Sequence, residues 1–387
     1  MLRNEKANAE LNFHPDENYA REIMQLFTIG VHELNIDGTL VLDARGKPIP
    51  TYGQQEIEEF AKVYTGWDFA NSSAWRDQYI GNGDTIHPMK AWEAFHDTSE
   101  KHLLNGFVIA AGGTAKQDLD KTLDHLFNHP NVGPFISKQL IQRLVTSNPS
   151  PAYVARVASV FNNNGENTRG DLKAVIKAIL LDQEARNGYQ TMPQTFGKLR
   201  EPMLRITHLW RAFPAIPVVK QGSFYGGNSC GQGNYDYYKL PFNGGLAQFE
   251  TTLGQTVLRS PTVFNFFLPD FSPVGVVHDQ NLVAPEFQIA TENTHVNTFN
   301  AIIFMIRGDQ RYTSIDITQE LPLADSPEQL VDHLNLILLN NLMSPSLRQI
   351  LLTHLGQTFP QGDEGKKAKV KDAIKLIVSS PEYLIQQ

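Results

Sequence analysis

Between residues 115 and 186, and again from 286 to 387, apolar side chains recur at every third or fourth position in short stretches broken by Pro, Asn or Gly. A period of about 3.6 places them on one stripe of an α-helix and does not suit a strand, whose faces alternate with a period of about 2. In "AKQDLDKTLDHLFNHP" the stripe is Leu119, Leu123, Leu126 and Phe127, stopping before Pro130. "VGPFISKQLIQRLVTSNPS" offers Phe135, Leu140, Ile141 and Leu144. "SPAYVARVASVFNNNG" has Pro151 at a helix start, then Val154, Val157, Val160 and Phe161. "TRGDLKAVIKAILLDQEAR" closes the group with Leu172, Val175, Ile176, Ile179 and Leu180. Another helix is predicted in "FGKLREPMLRITHLWRAFPAI", with Pro202 in its first turn, and more in "APEFQIATENTHVNTFNAIIFMIRG", "SPEQLVDHLNLILLNNLMS", "SPSLRQILLTHLGQTF" and "KKAKVKDAIKLIVSSPEYLIQQ". The expected fold is mainly α, a multi-helical orthogonal bundle with long irregular Gly/aromatic loops and at most a small β-hairpin.

The first helix lies in "NFHPDENYAREIMQLFTIGVHELN", residues 12–35. Asp16 suits the N-cap because its carboxylate can accept an otherwise unpaired backbone N–H. Tyr19, Ile23, Leu26 and Phe27 supply an apolar stripe, and Gly30 can take the positive φ of a helix C-terminus. The other face carries Asn18, Arg21, Glu22 and Gln25 instead of a plain Lys/Glu coat. Glu17 and Arg21 stand at a favourable i,i+4 spacing. The bland reading is a surface ion pair. The sharper one has Arg21 and Glu22 fixing the loop of residues 71–113 through charge-assisted hydrogen bonds.

That loop is rich in Gly, His and Trp, and Trp75, Trp92, Phe95 and Phe69 argue for an ordered, functional segment. Before it, "DGTLVLDARGKP" could form a small hairpin, and a second helix runs from Gln54 to about Tyr64, ending at Gly66 in "TGWDF". Residues 221–250 are the longest stretch without a structural pattern, a candidate lid or inter-unit loop. "SPTVFNFFLPDFSP" reads as a buried irregular segment. Four sections are expected, 1–113, 114–220, 221–285 and 286–387, with one continuous domain as the alternative. "GDLKAVIKAILLDQEAR" and "KVKDAIKLIVSSPEYLIQ" share a spacing that fits either a duplicated helical unit or a common amphipathic pattern.

Composition narrows the function classes. Only 19% of the 387 residues are charged and the net charge is −8, which argues against a nucleic-acid binder and leaves much of the surface neutral and polar. No apolar run is long enough to span a bilayer. The single Cys230 excludes an intramolecular disulfide and a cysteine zinc site, and reads as an incidental thiol. No phosphate-binding glycine loop, nucleophile elbow or H-E-x-x-H motif is present. The three Asp of "QDLDKTLDH" stand at helical spacing between leucines, a solvated face rather than a calcium loop.

The densest chemistry is in "FHDTSEKHLLNG", residues 95–106, with His87 shortly before. His96, Asp97, Lys101 and His102 are titratable groups suited to acid/base work, and His87, His96 and Asp97 are weak candidates for a metal. The alternative is that Asp97 merely caps the following turn.

These stretches resemble a bacterial family, the domain of unknown function 1800. "ENYAREIMQLFTIGV" looks like its most specific signature, "EIEEFAKVYTGWDF" resembles its T-G-W block, and "FHDTSEKHLLNG" its H-D-x-x-x-K block. "FISKQLIQRLVTSNPSPAYVARVASVF", "LVAPEFQIATENT" and "SPEYLIQQ" are similar to later segments. Family members are usually longer, with a signal peptide and a further helical region first, so the chain is expected to be N-terminally incomplete. The resemblance implies an exported, mostly helical protein of the envelope or secreted fraction, with a sulfatase-like protein encoded nearby as partner. It also implies that Asn18, Arg21, Glu22, Trp67, His96, Asp97 and Lys101 belong to one feature, with Asn18, Arg21, Glu22 and Trp67 as a structural cluster. It implies no reaction and no cofactor. The expectation is a partner-binding or structural component. The alternative is a hydrolase or metal-dependent enzyme using His96 and Asp97, with Glu22 as base and Arg21 or Lys101 as anion stabiliser.

Overall fold

The structure, a computed structural model, describes residues 3–77, 82–216, 252–308 and 313–387, with the backbone of 218–223 and 234–239. Cys230 and most of the 221–250 stretch lie outside the described residues. The protein is mainly α, a helical bundle in which the strands form only small two-stranded pairs. It divides into two compact units, residues 1–144 with 149–187, and residues 145–148 with 188–387.

The first unit begins with α1 (Asn18–Gln25) and α2 (Gln54–Val63). Asp16 accepts the Asn18 N–H at 2.8 Å, the cap its position suggested. The buried face of α1 is Ala20, Ile23 and Met24. Leu26 lies past the helix end and Phe27 is exposed, because the helix stops at Gln25 and the turn to Gly30 (φ +73°) carries those two residues off the expected stripe. Residues 31–51 fold back on themselves through isolated bridges, His32 with Pro50, Leu34 with Leu40 and Leu42 with Pro48.

Four helices follow: α3 (Ala115–Phe127), α4 (Val132–Leu144), α5 (Pro151–Asn162) and α6 (Leu172–Leu181), trailed by α7 (Gln183–Thr191). Thr114, Ser150 and Asp171 cap α3, α5 and α6 by accepting backbone N–H groups. Helices α5 and α6 bury Val154, Val157, Phe161, Val175 and Ile179 as expected, but Leu172 and Leu180 of α6 and Leu144 of α4 are exposed, because each stands at or near a helix end, at the edge of the buried face. Helix α3 is rotated from expectation. It buries Ala115, Asp118, Thr122 and Leu126, while Leu123 and Phe127 are exposed. A carboxylate thus sits where a leucine was expected, and the boundary expected after residue 113 falls inside the first unit.

The second unit holds α8 (Pro202–Ala212), α9 (Glu292–Arg307), α10 (Pro327–Leu339), α11 (Pro345–Leu355) and α12 (Asp363–Val378). Their buried faces share one core that includes Ile206, Leu209, Ile302, Leu334, Leu351 and Ile374, closed by Tyr383. Two short segments contradict the sequence reading. At the start of and within the 221–250 stretch expected to lack structure, 218–223 and 234–239 pair antiparallel, Val218 opposite Lys239 and Ser223 opposite Asn234; Tyr-rich "NYDYYK" has the β preference of aromatic residues. In "SPTVFNFFLPDFSP" only Phe267 is buried, while Val263, Phe264 and Leu268 are exposed, since a chain turning at successive prolines presents its side chains in several directions.

Candidate functional site

The residues that bear chemistry gather around Asp118. The T-G-W block places the first partner: Thr65 follows α2, and Gly66 takes φ +80°. A Cβ on Gly66 would lie 2.9 Å from both the His96 nitrogen and the Trp92 carbonyl oxygen, so only glycine lets these strands approach. Thr65 Oγ1 donates to the Lys62 carbonyl (2.6 Å) and accepts the Asp97 N–H (2.8 Å). His96 Nδ1 lies 3.0 Å from the Thr65 carbonyl oxygen and 3.2 Å from Thr65 Oγ1. Its Nε2 is 3.3 Å from Asp118 Oδ2.

Lys101 completes the group. Its Nζ donates to Asp118 Oδ2 (2.8 Å), to the Asp97 carbonyl (2.6 Å) and to the Ser99 carbonyl (3.0 Å), filling all three ammonium donors. The side chains of His96, Lys101 and Asp118 are at most 1% exposed. Gly113 makes room for the carboxylate, since a Cβ there would stand 2.2 Å from Asp118 Oδ1. A buried carboxylate is tolerable only beside a matched charge and donors. That requirement explains why α3 turns Asp118 inward.

Asp97 is not part of the ion cluster through its carboxyl. Burial pushes that carboxyl up, but hydrogen bonds from the Ser99 N–H (2.9 Å) and Oγ (2.6 Å), with Lys101 nearby, hold it below its usual value. This is the turn-capping role. His87 is exposed and sits 2.7 Å from Asp84 in its own turn, whose backbone N–H groups lower the Asp84 carboxyl to about 2. Among the described residues, no three His, Cys, Asp or Glu side chains gather as a metal set.

The structure does not show Arg21 holding the 71–113 loop. Arg21 Nη2 reaches Glu17 Oε2 (2.7 Å) and Gln54 Oε1 (2.8 Å), tying α1 to the start of α2. Asn18 is exposed and bonds Asp16, Glu22 is half-buried, and neither Arg21 nor Glu22 is a polar partner of His96 or Lys101. Residues 3–6 hold the loop instead. Arg3 Nε pairs with buried Asp68 at 2.7 Å, Glu5 accepts the Trp75 indole N–H at 2.7 Å, and the Lys6 N–H donates to Phe95 O at 2.9 Å. Trp75 and Phe95 stack face to face at 4.5 Å. The Arg21 guanidinium could not do this work because the nearer Glu17, one helical turn away, takes it.

Beside this sealed cluster the same elements build an open one. Tyr19, Tyr64, Trp67, Met89, Lys116 and Leu119 line a mostly apolar cavity of about 510 Å³. Tyr64 and Trp67 flank Thr65 and Gly66, and Lys116 and Leu119 flank Asp118, so the cavity wall and the polar cluster are built on the same stretches of chain. Trp67 is held by the antiparallel pairing of Trp67–Asp68 with Lys90–Ala91, and Tyr19 meets Tyr64 edge to face at 4.8 Å. The Tyr64 hydroxyl and the Trp67 indole N–H are buried and have no hydrogen-bond partner among the described residues. Burial pushes the Tyr64 phenol well up, so it remains a donor.

The sequence blocks that meet in this region decide the family. The family model described as "Protein of unknown function (DUF1800)" matches residues 1–385. The chain belongs to the DUF1800 family. No curated protein and no solved structure matches this DUF1800 chain. The T-G-W and H-D-x-x-x-K blocks of this DUF1800 chain converge on an aspartate that neither block contains. Asp118 was missed because its helix offers four leucine-type positions that satisfy the period better. The overlooked signal was Lys101 itself, an ammonium next to buried Leu103 and Leu104 that required a carboxylate from elsewhere.

Proposed function

We propose that this DUF1800 chain works by binding, as an exported component that engages a partner protein, and that the aromatic cavity of its first unit receives an apolar segment of that partner. The observation that carries the reading is the contrast between two neighbouring features. His96 and Lys101 are committed to Asp118 out of reach of solvent, whereas the cavity built on the same stretches of chain is open and apolar. Such a cavity, with a few polar groups at fixed positions, has the make-up of a recognition site. The aromatic rings of Tyr19, Tyr64 and Trp67 supply the apolar wall that a partner's side chain can cover. Export and a sulfatase-like partner follow from the family resemblance, and no helix among the described residues is long and apolar enough to cross a membrane.

The test compares tagged wild type with Leu119→Arg, which puts a charge on the cavity wall from a half-buried helix position. Wild type should retain a stoichiometric partner from the native host, and the variant should lose it while keeping its circular-dichroism spectrum and melting temperature. Equal recovery by both proteins rejects the cavity as the contact. Turnover of an ester, phosphate or sulfate substrate that disappears in His96→Gln replaces the binding reading with the hydrolase one.

A further inference from the structure

The second unit buries a guanidinium that no carboxylate answers. Arg205, in the first turn of α8, is 2% exposed. Its Nε donates to the Arg200 carbonyl at 2.8 Å, and its Nη1 lies 3.4 Å from His295 Nδ1, longer than a good hydrogen bond. Its Nη2 has no partner, and no ion pair with Arg205 is formed, among the described residues. The surroundings are basic. Arg200 stands 4.9 Å over the Tyr383 ring and 2.9 Å from His208 Nδ1, and His208 stacks on Tyr383 at 5.5 Å. Desolvation lowers Arg205 to about 10, with Tyr383 opposing and Arg200 assisting, so the group keeps its charge at neutral pH.

This is not how the unit treats its other buried cation. Lys198, equally inaccessible, is matched by Glu286 Oε1 at 3.0 Å. The fold can therefore supply a carboxylate where one is required. It does not do so at Arg205, and there it supplies space. Arg205 lines a cavity of about 230 Å³, together with His295, Thr298, Phe299, Ile302 and Leu384. The remaining walls are mostly apolar. This volume is below the ~300–1,000 Å³ of drug-sized sites, so the occupant is small. The planar fork of Nη1 and Nη2 matches two carboxylate oxygens, a pairing an apolar wall cannot provide.

We infer that this cavity is a binding site for a small monocarboxylate with an apolar body, its carboxylate on Arg205 and its tail against Phe299, Ile302 and Leu384. The carboxylate neutralises the buried guanidinium, and the tail displaces solvent from the apolar walls. Neutral molecules of the same shape lack the first contribution, and inorganic phosphate lacks the second. The site belongs wholly to the second unit and does not depend on the aromatic cavity of the first.

Calorimetric titration of the full chain with benzoate and hexanoate tests this, against benzyl alcohol, hexanol and inorganic phosphate. The acids should bind one to one and raise the melting temperature, and the alcohols and phosphate should bind at least tenfold more weakly. Arg205→Met should weaken benzoate at least tenfold. Phe299→Trp, which narrows the cavity and leaves the guanidinium in place, should do the same and decides the matter if Arg205→Met does not fold. Equal affinity for acid and alcohol, binding of phosphate alone, or acid binding unchanged by Phe299→Trp would each overturn the inference, the last by showing surface ion pairing only.

Discussion

The two units treat buried charge in opposite ways. In the first, Lys101 finds Asp118 and two carbonyl oxygens, and the resulting cluster is closed. In the second, Arg205 and Arg200 lie with His208 and His295 beside a cavity, with no carboxylate bound to either arginine among the described residues. A matched pair whose ammonium donors are all used fixes neighbouring backbone and has no donor left for a ligand. An unmatched guanidinium does little to hold the fold, because desolvation opposes it, yet it offers two nitrogens to whatever enters. The difference separates a residue set that supports a site from one that could be a site.

Breaking the first cluster should have the largest effect. Asp118→Asn leaves the Lys101 ammonium buried and unpaired, with an expected loss of about 3–5 kcal/mol, read as a shift in the urea midpoint; a loss below about 1 kcal/mol would mean that the cluster is not a matched pair. Next is the pH response of the second unit. Burial, helped by Arg200, lowers the His208 imidazole to about 4, from an unfolded value of about 6.5. Between these values the unfolded chain binds the extra proton, so stability rises with pH through that window and is lost as pH falls from about 6.5 towards 4. After allowance for partial exposure the expected contribution is roughly 2 kcal/mol, and His208→Gln should flatten that limb of the stability–pH curve; an unchanged limb removes His208 from the account.

Arg205→Met sharpens the contrast. If the guanidinium is unmatched, its removal costs at most about 1 kcal/mol or stabilises the unit; a loss as large as that of Asp118→Asn would reveal a partner. The smallest effect belongs to the first helix. Arg21→Ala removes a partly exposed pair with Glu17 and should change stability by no more than about 0.5–1 kcal/mol in chemical denaturation. A larger loss would restore Arg21 to the structural core.

Much of the architecture was legible from local rules. The Pro151 and Pro202 helix starts and the buried Val154, Val157, Phe161, Val175 and Ile179 of α5 and α6 follow from groups within a turn or two of each other. His96 and Lys101 were visible as unusual residues, and the capping role of Asp97 was foreseen as the plain alternative. What could not be read was the partner. Asp118 lies 17 residues beyond Lys101 on a helix whose leucines gave a competing face. The clasp of the aromatic loop by Arg3 and Glu5 was hidden for the same reason, since Glu5 stands 70 residues from Trp75. Sequence separation erases such pairs from any windowed pattern.

The chain by itself determined where its helices lie, several of their starts and its family, because each of these depends on patterns over a few residues. Only the tertiary structure decided which face of α3 turned inward, which acid met Lys101, and that Arg205 met none. Burial of a charge is settled by what distant segments bring to it, and that sum exists only once the chain is folded.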